Sequence, residues 1–239
     1  MRPFRSRKGV MNGSDRQVQV DERRVCDHLT SRMTQDILRL MRTSAPPLLP
    51  IFRSRLQGEL LAATLLDPGR DESLTGLAQR LGADVGTVQR EVSRLERAGI
   101  LRTRRVGQTR LAAANSDSPI YAPLAELVLR AFGPLQVVAE EFTGIERVDE
   151  IFLFGSWAAR YRGEEGPAPA DLDVLVIGRP NRDALYEAAL RAERRLGRQV
   201  NVTVRSKASW RSAQDGFVKQ VRRSPLVSVG GAESEETAR

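Results

Sequence analysis

Two aspartates open the run Asp171-Leu172-Asp173-Val174-Leu175-Val176, and no other stretch of this chain limits its fold so sharply. A short run this rich in aliphatic and β-branched residues is a strand, and successive side chains on a strand face opposite ways. The two carboxylates therefore share one side, while Leu172, Val174 and Val176 point into a core. Ser156 stands fifteen residues before Asp171, in Phe154-Gly155-Ser156-Trp157, which reads as a Gly-Ser turn leaving an earlier strand. Two hard oxygen ligands beside a Gly-Ser turn suit Mg²⁺ carrying a nucleoside triphosphate.

Charge is unevenly spread over the 239 residues. The formal net charge is +8, and 35 of the 38 basic side chains are arginine. Residues 1–50 carry a net +5, residues 51–115 a net +4, and residues 116–239 a net −1. A polyanionic partner is thus expected to dock on the N-terminal half. The chain has one cysteine, Cys26, and one histidine, His28, which excludes an internal disulfide, a zinc site of the Cys/His kind and a Ser-His-Asp triad. Reduced cysteine usage, the lack of a signal-like hydrophobic core and the expectation that no apolar run reaches a membrane span together predict a soluble cytoplasmic protein without a membrane partner.

Residues 1–46 are polar and arginine-rich, with a weak helical pattern at Val25, Leu29, Met33, Ile37 and Leu40 and alternative starts at Met11, Met33 and Met41. They are expected to be a disordered basic segment, as is the acidic tail 230–239. From Leu49 the spacing predicts a helix that ends at Asp67-Pro68-Gly69. Ser73 opens a short helix closed by Gly82, and Asp84 caps a third helix burying Val85, Val88, Val92 and Leu95 before Gly99 stops it. Ile100 to Ala112 alternates around Val106-Gly107-Gln108 as a β-hairpin.

Helix, short helix, tight turn, helix and hairpin is the order of a winged helix-turn-helix, and residues 47–118 resemble the ArsR/MarR-like bacterial regulators. That resemblance implies binding to double-stranded DNA. The exposed side of the third helix offers Thr87, Gln89, Arg90, Ser93, Arg94 and Arg97, and the hairpin offers Arg102, Arg104, Arg105 and Arg110. Arg and Gln can pair with base edges, and a basic wing suits phosphates or the minor groove. Residues 119–144 predict one apolar helix or a pair. In this class such helices make the two-fold contact, so a homodimer is expected.

Beyond residue 145 the pattern predicts a strand at Val148–Phe154, a short helix from Ser156 to Tyr161, a strand from Asp171 to Ile177 and a long helix from Arg182 to Leu196. A strand from Gln199 to Arg205 and a helix from Ser209 to Arg222 complete it. With the Gly-Ser and Asp-x-Asp elements, residues 145–229 resemble the minimal nucleotidyltransferase domain of the DNA polymerase β superfamily. The resemblance implies that Gly155, Ser156, Arg160 and Asn201 bind nucleotide and that Asp171 and Asp173 are the metal-holding catalytic carboxylates. Active members carry a third carboxylate on the next strand, and here that position is Asn201, an amide without charge or basicity.

The expected fold class is α+β, a winged helix-turn-helix followed by a small mixed-sheet nucleotidyltransferase-like domain. The leading functional expectation is a DNA-binding regulator whose C-terminal domain takes Mg²⁺ and a nucleoside triphosphate as ligand. The rivals are an active nucleotidyltransferase, such as an antitoxin that adenylylates a partner protein, and a domain kept only for assembly.

Overall fold

The computed structural model describes residues 52–229. The readings made for residues 1–46 and 230–239, including Cys26 and His28, lie outside the described residues, as do Leu49 and Ile51.

Two helical and sheet layers are built in succession. The first begins with α1 (Arg55–Leu65), capped by the Ser54 side chain, which accepts from the Gln57 backbone N–H. A two-residue strand β1 (Glu72–Ser73) leads into α2 (Leu74–Arg80), where Ser73 Oγ accepts from the Gly76 N–H. The chain turns at Gly82, whose φ of 60° is open to glycine without strain. Asp84 then caps α3 (Val85–Arg97) by accepting from the Thr87 N–H at 2.9 Å. Strands β2 (Leu101–Val106) and β3 (Thr109–Ala114) pair antiparallel from Leu101↔Ala114 to Val106↔Thr109, leaving Gly107-Gln108 as a two-residue turn. β1 joins the far edge of β3, giving the order β1-β3-β2.

Helix α3 buries Val88, Val92 and Leu95 against Leu60, Leu61 and Leu77. Val85 does not join them. The expectation that it would be buried fails because it is the first helical residue, before the helix meets its neighbours, and it stays 42% exposed.

Helices α4 (Tyr121–Phe132) and α5 (Pro134–Phe142) follow. Taken together, Tyr121–Phe142 spans 22 residues and contains an 18-residue stretch of mean hydropathy 1.3, so by length and composition it could cross a membrane. The expectation that no apolar run reaches that length is therefore corrected. Here the run is broken at Gly133-Pro134 and divided between two cores. Val128, Ala131 and Phe132 pack into the first, and Val137, Val138 and Phe142 into the second.

The second layer holds β4 (Val148–Phe154), α6 (Gly155–Tyr161), β5 (Asp171–Gly178), α7 (Arg182–Leu196) and β6 (Gln199–Arg205). It ends with α8 (Lys207–Ser212), α9 (Gly216–Arg223) and β7 (Val227–Ser228). The sheet runs β6-β5-β4-β7, with β5 and β6 parallel and the other pairs antiparallel, so it is mixed. β5 is covered on both sides: Leu172, Val174 and Val176 meet α5, α6 and α7, while Leu175 and Ile177 meet Trp210, Val218 and Val221. The single helix expected from Ser209 to Arg222 is two, because Ala213 turns left-handed at φ 47° and Asp215 caps a new start at the Phe217 N–H.

The break between α4 and α5 is held by one phenol. Tyr161 Oη donates to the Leu129 carbonyl at 3.1 Å and accepts from the Leu135 N–H at 3.0 Å. Burial pushes this phenol far above its usual pKa, so it remains a donor at any ordinary pH. Nearby, Arg195 of α7 pairs with Glu59 of α1 at 3.2 Å and with Glu140 and Glu141 of α5 at 2.8 Å each. Tyr161→Phe removes both bonds at the break and leaves the Leu135 N–H without its partner, while the Leu129 carbonyl keeps the Gly133 N–H at 3.1 Å. The substitution is expected to cost about 1–3 kcal/mol, read as a lower urea midpoint at unchanged m-value.

Candidate functional site

Two groups of residues carry chemistry, one on each layer. On the first, α3 presents Gln89, Arg90 and Arg97 to solvent, with Thr87, Ser93 and Arg94 half-buried beside them. Arg90 donates to Thr87 Oγ1 at 2.8 Å and Arg97 to the Ser93 carbonyl at 3.2 Å, contacts that orient both guanidinium groups without neutralising them. Arg94 is paired with Glu91 at 2.5 Å.

The hairpin arginines divide in the same way. Arg102 and Arg105 are exposed and have no carboxylate partner among the described residues. Arg104 makes a two-pronged pair with Asp71, at 2.9 Å from Nε and 2.6 Å from Nη2. Arg110 turns inward, donating to Glu96 at 2.6 Å, to Ser93 Oγ at 3.1 Å and to Thr103 Oγ1 at 3.3 Å. It ties the hairpin to α3, a role that sequence spacing does not reveal because its partners lie on another element. Of the ten residues singled out on this layer, Gln89, Arg90, Arg97, Arg102 and Arg105 are the exposed ones whose side chains have no carboxylate partner among the described residues.

On the second layer, strand register brings the Asp-x-Asp pair and Asn201 together. Asp171 pairs with Gln199 and Asp173 with Asn201 across β5 and β6, and Asp173 pairs with Phe154 across β4. Asn201 Nδ2 donates to Asp171 Oδ2 at 2.8 Å and to Asp173 Oδ1 at 3.3 Å. The amide thus bridges two like charges as a donor. To ligate a metal it would have to present its oxygen instead and give up both bonds.

Gly155 has φ 70°, and a Cβ there would lie 2.6 Å from Asp173 Oδ2. Glycine is what lets the Asp173 carboxylate lie against the start of α6. Ser156 is exposed at that helix end. Arg160 donates to the Gly166 carbonyl at 3.0 Å, so its guanidinium serves the 163–169 loop. Among the described residues no group of three His, Cys, Asp or Glu side chains could hold a metal. The donor set is two carboxylates, which fits one Mg²⁺ that keeps several of its waters.

Burial raises the Asp173 carboxyl above its ordinary value of 3.8; Asn201's hydrogen bond opposes that, and the Asp171 charge adds to it. A carboxyl whose folded pKa is raised stabilises the fold fully below pH 3.8, and that contribution is lost as pH rises through the raised value.

No family model and no curated protein matches the sequence. Among solved structures, the chain has a remote likeness to MepR, a transcription regulator of the Staphylococcus aureus multidrug efflux pump MepA. That match has 14% identity and a TM-score of 0.32, over 46% of this chain and 78% of that one. The transcriptional regulator BldR from Sulfolobus solfataricus gives 16% identity and 0.32, over 57% and 88%. The PcaV transcriptional regulator from Streptomyces coelicolor gives 23% and 0.25, over 43% and 77%.

Since Asp173 is held against its own desolvation at neutral pH, Asp173→Asn is expected to raise the urea midpoint at pH 7. The advantage shrinks as the pH falls to the ordinary aspartate value. Urea midpoints of both proteins across that range check the sign.

Proposed function

We propose that this protein is a DNA-binding transcriptional regulator whose C-terminal layer has a nucleotidyltransferase-like fold and takes a magnesium-bound nucleotide as ligand. The observation that carries the DNA part is the uncompensated cationic surface. Arg90 and Arg97 on α3, with Arg102 and Arg105 on the adjoining hairpin, keep their charge in solvent while the neighbouring Arg94, Arg104 and Arg110 are neutralised by Glu91, Asp71 and Glu96. Helix α3 is 13 residues long and reaches solvent along one side, as a helix entering a major groove must. Gln89 and Arg90 are the candidates for base edges, and the hairpin pair for phosphates.

Binding to duplex DNA is measured by fluorescence anisotropy over a salt series. Arg102→Ala with Arg105→Ala is expected to weaken binding to all sequences and to lower the slope of log K against log salt by about two. Failure of the wild-type protein to bind any duplex at low salt would sink the DNA reading.

The nucleotide part rests on Asp171, Asp173 and Gly155 lying together at one end of the sheet. Asp171 and Asp173 would hold the ion, and Ser156 would bind phosphate oxygens. With Asn201 acting as a donor in the third position, the site lacks the base that in-line transfer needs. Labelled nucleoside triphosphates with Mg²⁺ or Mn²⁺ are expected to be retained without transfer, and retention is expected to vanish in the Asp171→Asn/Asp173→Asn protein. Transfer of label to the chain itself or to a partner protein would make it a nucleotidyltransferase, the second reading. In the regulator reading the ligand shifts DNA affinity in a homodimer joined through residues 119–144, which requires different ligand affinities in its two states.

A further inference from the structure

Where α1, α2 and α5 meet α7, the protein encloses a cavity of about 410 Å³. None of Gly155, Ser156, Asp171, Asp173 or Asn201 contributes to its wall, so it is separate from the carboxylate site. The wall carries five arginines, Arg80, Arg191, Arg194, Arg195 and Arg198, with the carboxylates Glu59 and Glu141. Those two carboxylates are already committed, Glu59 to Arg55 and Arg195, and Glu141 to Arg191 and Arg195. Arg80 pairs with Glu72 at 3.2 Å, and Arg198 reaches Asp67 at 3.6 Å, donates to the Pro169 carbonyl and lies over the Trp157 ring at 5.0 Å, while Arg194 has no ion-pair partner among the described residues.

Hydrogen-bond accounting points the same way. Two wall side chains each keep a buried nitrogen that has no partner among the described residues, Nε of Arg80 and Nε1 of Trp157. The Arg80 side chain is 7% exposed and Trp157 is 3% exposed. Burial also lowers the pKa of both Arg80 and Arg198, a strain that a bound anion would relieve. The rest of the wall is apolar and partly flat, including Leu66, Phe132, Pro134 and Val137 beside the Trp157 ring.

We infer that this cavity is a binding site for a small phosphate monoester carrying a flat apolar group. Arg194 and Arg198 both line this space beside Arg80, and a phosphate offers two charges and three terminal oxygens to guanidinium groups so placed. A carboxylate brings one charge and two oxygens. The volume suits a molecule of that size. The site ties α2, which precedes the recognition helix, to the last turn of α7. It stands whether or not the chain binds DNA.

The test uses the full chain and phenyl phosphate as probe, titrated by calorimetry, with inorganic phosphate and benzoate as comparisons. Phenyl phosphate is expected to bind one per chain and about tenfold more tightly than either comparison. Arg194→Gln, at an exposed position, is expected to weaken it by about tenfold with no change in the unfolding midpoint. Trp157→Phe, which keeps a ring and removes the unmet donor, serves as the second variant and is expected to weaken it as well. Asp171→Asn/Asp173→Asn is expected to leave binding unchanged. The inference is overturned if phenyl phosphate shows no saturable binding at millimolar concentration. It is also overturned if benzoate binds as tightly, or if Arg194→Gln binds like the wild type.

Discussion

A single buried hydroxyl decides how this chain is divided. Pro134 has no N–H to continue a helix, and Gly133 is extended, so the apolar run from Tyr121 to Phe142 must break. A break in a buried helix exposes carbonyls and N–H groups that have nowhere to go. Tyr161 supplies one acceptor and one donor at that point, and Gly133 is the residue that makes room, since a Cβ there would meet the Leu129 carbonyl at 2.1 Å and Tyr161 Oη at 2.6 Å. Everything downstream is placed by this joint. α4 closes the first core, α5 opens the second, and the second core supports the strand that carries the aspartates.

Arginine is used here in two distinct ways. Some guanidinium groups are structural, with carboxylates chosen for them on other elements: Arg195 with Glu59, Glu140 and Glu141, Arg110 with Glu96, Arg104 with Asp71. Others, among them Arg90, Arg97, Arg102, Arg105 and Arg194, are exposed and have no carboxylate partner among the described residues. Composition alone cannot separate these classes. Side chains on one helix can be sorted by their spacing of three and four, which is why Gln89, Arg90 and Arg97 could be read as exposed from the sequence. Arg110 could not be assigned to the interior, because its partners sit 7 to 17 residues away on another strand and helix.

The same distinction between local and distant information runs through the fold. Caps at Ser73 and Asp84, stops at Gly82 and Gly99, and the side of β5 that carries Asp171 and Asp173 all follow from neighbours within four residues, and they were legible. The place of Asn201 came from the family resemblance, and the parallel register of β5 and β6 sets it opposite Asp173. The exposure of Val85 depends on where the helix first meets its partners, which spacing does not contain. The break at Ala213 had a signal in Asp215-Gly216, a capping residue inside an otherwise helical pattern, that periodicity overrode. The cavity by α7 had no signal at all, being assembled from six helices whose contacts are set only when the cores form.

Asn201 settles the repulsion between two carboxylates by donating to both, so the pair is at rest without any cation. An isosteric carboxylate in its place differs by a single base in the codon and by one atom in the side chain. That exchange would turn a bridge into a third like charge, with the same positions and the opposite demand. The amide therefore holds the sheet end in a state that can be reversed in one mutational step, provided a metal is there to receive it.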